Sequence, residues 1–94
     1  MLIYKRVEKI CKLELMRAKV KYYDQKTTRK KELEHFFTYN TKRALNCISE
    51  TDRFIILNQY LSLNVDPYWY KKYFSRTTYY KLRAKAVKEF NDYL

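Results

Sequence analysis

The chain has 94 residues, with 21 Lys plus Arg against 10 Asp plus Glu, a formal net charge of +11, a single proline and no glycine. That is the size of one small domain. Phosphate-cradling loops, dinucleotide fingerprints and type I′ hairpins need residues that reach positive φ without a Cβ penalty, so a P-loop nucleotide hydrolase is excluded and a turn-rich β fold is disfavoured. The excess charge points instead to a polyanion: DNA, RNA or an anionic membrane surface.

In chain order, the first segment, Leu2 to Tyr23, sets Ile3, Val7, Ile10, Leu13, Met16, Val20 and Tyr23 at spacings of three and four, which predicts one amphipathic helix. Lys5, Lys9, Lys12, Lys19 and Lys21 occupy its other side. Asp24 to Thr28 break the pattern, and Thr28 is the expected N-cap of a second helix from Arg29 to about Cys47. That helix would bury Leu33, Phe36, Phe37, Ala44, Leu45 and Ile48, with Asn40 and Thr41 interrupting the stripe. Cys11 and Cys47 read as buried thiols. In an antiparallel hairpin they would sit about 9 Å apart along the axis, an offset that argues against a disulfide. The basic first helix has three candidate roles: lying on DNA phosphates, forming a hairpin or homodimer seam, or meeting an anionic membrane. A structural hairpin is the expected one, because its apolar side has no Trp or Phe anchor.

Ser49 precedes Asp52 by three residues, a variant of the capping box that also places acid at a helix start. The helix it opens should run to about Leu61, burying Phe54, Leu57 and Leu61 with Ile56 and Tyr60 beside them. LSLNV is the exit. Asp66 followed by Pro67 is a cap with proline at the first helical position, and predicts a short helix ending near Phe74. Ser75 then caps a last helix from Arg76 to about Tyr93, with Tyr79, Leu82, Ala86 and Phe90 on its inner face. Charge divides unevenly: thirteen basic and five acidic residues in 1–48, eight and five in 49–94. From Ser75 to Lys88 there are five basic residues and no acid.

The expectation is an all-α chain, with a basic helical hairpin in residues 1–48 and a helix-turn-helix unit in 49–94. In such a unit the second helix docks one face while its N-terminal side chains reach base edges. That assigns Arg76, Thr77, Thr78, Tyr80 and Lys81 to bases, and Ser75, Lys71, Lys72, Arg83, Lys85 and Lys88 to phosphates. The same pattern also fits a solvated amphipathic helix closing a bundle. PYWYKKYF offers aromatics between lysines, which can stack on unpaired bases, although such spacing more often marks core.

His35 lies beside Glu32 and Glu34 as a surface residue. No ligand set for zinc assembles, and no nucleophile, base and orienting acid stand at workable spacing, so neither cofactor nor enzymatic activity is expected. No run approaches the ~18 apolar residues of a membrane span. Lys5 and Arg6 interrupt the start before an apolar signal core forms, so the chain is expected in the cytoplasm, away from membranes.

The residues Ser49 with Asp52, Trp69 and Tyr70, then Ser75, Arg76, Tyr79, Tyr80, Leu82, Ala86 and Phe90 carry a resemblance. From Ile48 to Leu94 the chain resembles the C-terminal part of the ArpU-type phage late-transcription regulators and, more distantly, the region 4 helix-turn-helix of bacterial sigma factors. The whole chain is also similar to a family of small basic mycoplasma proteins that share the aromatic run before Phe74 and Ser75. The resemblance implies duplex DNA as partner and a role in transcription. A protein docking on RNA polymerase without base readout is the alternative, and RNA binding a third. The chain departs from the regulators at its turn, where Lys72, Tyr73 and Phe74 replace the usual glycine or small residue. Trp69 or Tyr70 stands where they have a small alanine.

Overall fold

The computed structural model describes residues 2–26, 29–63 and 66–94. It contains four α-helices: α1 (Leu2–Tyr23), α2 (Tyr39–Cys47), α3 (Glu50–Tyr60) and α4 (Arg76–Tyr93), with 3-10 turns at Leu33–Phe36 and Trp69–Lys72. Among the described residues there is no strand, and none adopts positive φ. The fold class is all-α. Thr28, the expected cap, lies outside the described residues, as do Asn64 and Val65 of the exit.

Helix α4 is the centre of the packing. It lies against α3 over the largest contact and also touches α1 and α2. Tyr79, Ala86, Val87 and Phe90 are buried on its inner face, while Leu82 is half-buried. Val7, Cys11 and Ala18 from α1, Ala44 and Leu45 from α2, and Ile55 and Ile56 from α3 meet them in one apolar cluster. Both parts of the chain thus enter the same core.

Two hydroxyl caps fall where the sequence places them. Ser49 Oγ accepts from the Asp52 N–H at 3.1 Å, and Ser75 Oγ accepts from the Thr78 N–H at 3.2 Å. Each satisfies a donor the first helical turn leaves unpaired, worth about 1 kcal/mol. The acidic half of the α3 box has another partner: Asp52 is 2% exposed, and its carboxylate pairs with Lys85 of α4 at 3.1 Å.

Several expectations are corrected. On α1, Ile3 and Val7 join the core, but Leu13, Met16, Val20 and Tyr23 are exposed. The buried line runs instead through Val7, Cys11, Glu14 and Ala18. A stripe built mostly on threes winds away from a fixed face of a 3.6-residue helix, whereas alternating fours and threes stays on it.

The second helix is not continuous from Arg29. The 3-10 turn Leu33–Phe36 is followed by Phe37 and Thr38 in extended conformation, and Thr38 is the N-cap of α2. The cause lies across the fold. The buried carboxylate of Glu14 takes the Thr38 backbone N–H and lies 3.3 Å from Thr38 Oγ1. A continuous helix would have given that N–H to the carbonyl four residues back. Thr41, read as an interruption, is buried within 3.3 Å of Thr38 Oγ1. The partner of α1 on this side is therefore the 3-10 turn rather than a long antiparallel helix.

The segment after Pro67 forms a 3-10 turn, not a short α-helix. Asp66 Oδ1 accepts from the Tyr68 N–H at 2.9 Å, and Lys71 and Tyr73 donate to carbonyls three residues back. Consecutive residues Trp69 and Tyr70 are both buried there. Trp69 Nε1 donates to Gln59 Oε1 at 2.9 Å while Tyr70 stacks parallel on Tyr79 at 3.9 Å between centroids. Of the two thiols expected to be buried, Cys11 is and Cys47 is not: Cys47 is exposed at the end of α2, and both are free.

Candidate nucleic-acid interface

An α-helix that buries Tyr79, Ala86, Val87 and Phe90 must turn Thr77, Lys81, Ala84 and Lys88 outward, since these lie on the opposite side of a 3.6-residue repeat. All four are exposed. Arg76, Thr78 and Tyr80 are exposed around the first turn, and Ser75 at the cap. The five residues assigned to bases therefore share one accessible end of α4. Ala84 is the gap in that face, a small side chain between two lysines, and its outward position follows from the helical period although sequence reading passed over it.

The cations differ in what surrounds them. Lys71 and Lys72 close the preceding 3-10 turn, with Lys71 Nζ 4.5 Å from the Tyr68 ring centroid. Lys81, Lys88 and Lys72 enter no ion pair among the described residues. Lys85 is held by Asp52. Arg83 is not free to reach outward: its guanidinium lies 4.9 Å from the Tyr80 ring, 5.6 Å from Tyr4 and 5.8 Å from Tyr79, and its Nε is buried without a hydrogen-bond partner. It braces α4 against the start of α1.

Arg76 and Tyr80 stand one turn apart and act on each other. A hydrogen bond from Arg76, reinforced by its charge, draws the Tyr80 phenol below its ordinary pKa and raises that of the guanidinium. A guanidinium donates only, whereas a phenol can both donate and accept, so the pair offers both kinds of hydrogen bond. Beneath them the aromatic floor is fixed. Gln59 Oε1 accepts from both Trp69 Nε1 and the Tyr79 hydroxyl. Burial pushes the Tyr79 and Tyr60 phenols up, with Arg83 opposing in both cases. Gln59 carries no sequence signal, because its role exists only once α3 and α4 are packed.

Of the run PYWYKKYF, Trp69 and Tyr70 belong to the core, while Tyr68 and Tyr73 are each 59% exposed. His35 is exposed, accepts from Lys31 Nζ at 3.1 Å, and is held below its ordinary pKa by local desolvation and by Lys31 and Lys42. Among the described residues no group of three or more Cys, His, Asp or Glu comes together as a metal site. Among the described residues no helix is long and apolar enough to cross a membrane.

No family model, curated protein or solved structure matches the chain.

Proposed function

We propose that the protein binds double-stranded DNA through the N-terminal half of α4, as a transcriptional regulator or an accessory of the transcription machinery. The observation that carries this reading is the exposed face itself: Arg76, Thr77, Thr78, Tyr80 and Lys81 at the start of a docked helix, with Lys88 farther along and Lys71 and Lys72 beside it. The first N–H groups of α4 add a partial positive charge that favours a phosphate. Arg76, Thr77, Thr78, Tyr80 and Lys81 read base edges. Lys71, Lys72, Lys88 and Ser75 hold phosphates, whereas Lys85 and Arg83 contribute charge while serving Asp52 and the tyrosines.

Anisotropy of a labelled duplex library at increasing salt tests it. Affinity should fall steeply with salt, and Arg76→Ala should cost about 1–3 kcal/mol on the selected sequence and relax selectivity. Sequence-blind affinity that Arg76→Ala leaves unchanged overturns the reading. Preference for single-stranded RNA, lost on changing Tyr68 and Tyr73, would replace it with the aromatic alternative. Recovery of RNA polymerase subunits after nuclease treatment, without duplex binding, would replace it with docking.

A further inference from the structure

The outer face of α1 has an order that the core does not explain. Leu13 is 48% exposed, Met16 60%, Val20 70% and Tyr23 70%. Their spacing of three, four and three is that of a coiled-coil seam, not of scattered surface apolar residues. On one flank of the seam Lys5, Lys12 and Lys19 recur every seven residues; on the other stands Arg17. All four cations are exposed. Of the two acids in α1, Glu14 is buried against Thr38, and Glu8, one turn from Lys5 and Lys12, enters no ion pair among the described residues; Lys19 has no acid of α1 within a turn of it.

Beside the seam a shallow groove of about 260 Å³ runs between α1 and the start of α2, bordered by Ile10, Leu13, Arg17, Asn40 and Leu94. Toward the N-terminus Arg6 Nη1 donates to Asn91 Oδ1 at 2.8 Å, which ends the open part of the face.

We infer that the outer face of α1 docks an acidic amphipathic helix of another protein, with apolar residues on Leu13, Met16, Val20 and Tyr23 and carboxylates against Lys12, Arg17 and Lys19. Charge selects this occupant. In a parallel pair of two copies the flank positions would set Lys12 against Arg17, and in an antiparallel pair lysine would meet lysine, so a second copy is repelled. A helix lying in a bilayer surface buries Trp, Phe and Leu, and the seam has one Leu, Leu13, and neither Trp nor Phe. A helix with Glu on both flanks satisfies the cations and covers the apolar line together. This inference is independent of the DNA reading, since α1's outer face lies apart from the residues assigned to bases.

The probe is a labelled peptide of about four heptads with Leu on its seam and Glu on both flanks, titrated with the full chain by anisotropy. Saturable binding is expected, weakened at least about tenfold by Met16→Gln with Val20→Gln. Lys12→Glu with Lys19→Glu should reverse the preference, losing the Glu-flanked peptide and gaining a Lys-flanked one. A scrambled peptide of the same composition binding equally well would overturn the proposal. So would affinity unmoved by either double variant, a dimer in sedimentation that Met16→Gln with Val20→Gln dissolves, or adsorption to phosphatidylglycerol vesicles that those substitutions abolish.

Discussion

α1 and α4 are both long, both rich in lysine and both half-buried, yet their outward faces have different chemistry. Between its cations α4 exposes threonines, a tyrosine hydroxyl and the small Ala84; between its cations α1 exposes Leu13, Met16 and Val20. Hydrogen-bonding groups set among positive charges suit a hydrated polyanion, whereas apolar groups set among positive charges suit a surface that is itself part apolar and part acidic. The number of lysines does not distinguish the two helices. What lies between the lysines does.

The sharpest test of the inner faces is chemical. Burial, with Glu14 nearby, raises the Cys11 thiol to about 12 from its ordinary 9.0. Near neutral pH the folded chain therefore holds about a thousandfold less Cys11 thiolate than the unfolded one, and iodoacetamide labelling should be slowed by at least that factor until denaturant is added. The unfolded chain releases this proton first as pH rises through about 9, so the thiol's contribution to stability is lost above that range. Rapid labelling of Cys11 under native conditions would contradict the assigned inner face of α1.

Next in size, Phe90→Ala should remove about 3–5 kcal/mol in urea unfolding, while Met16→Ala should stay within about 0.5 kcal/mol. Equal losses would mean that the two faces are not different in kind. Glu14→Ala should cost about 1–3 kcal/mol, because it strands the Thr38 N–H that the carboxylate receives; a neutral outcome would remove the stated cause of the break before α2. Smallest in stability, and read instead by affinity, is a contrast within α4. Lys81→Ala should lower the slope of log affinity against log salt by about one, and Lys85→Ala should lower it less, since Asp52 already holds that ammonium.

The elements closed by local chemistry were legible in the sequence: α3 and α4 begin at Ser49 and Ser75, whose hydroxyls cap within three residues. So was the exposure of Arg76, Thr77, Thr78, Tyr80 and Lys81 around a buried Tyr79, because the inner period of α4 is regular. What escaped was set by partners distant along the chain. Glu14 is an ordinary surface acid until Thr38 reaches it, and only then does the helix expected from Arg29 break. Arg83 looks like its neighbouring cations until Tyr4 of α1 encloses it. Ile55 and Ala18 enter the core because α3 and α1 each face more than one neighbour, which a single apolar stripe does not encode.

The unpaired cations bear on the fold as well as on any ligand. Lys9, Lys12, Lys19, Lys72, Lys81 and Lys88 enter no ion pair among the described residues, within a chain of net charge +11. Like charges held on a small folded surface repel one another more than on the expanded chain, and physiological ionic strength screens them beyond about 8 Å. Added salt thus stabilises the folded state while it weakens attachment to a polyanion, and the two titrations should run in opposite directions. A polyanion and plain electrolyte relieve the same internal repulsion, and compete to do so.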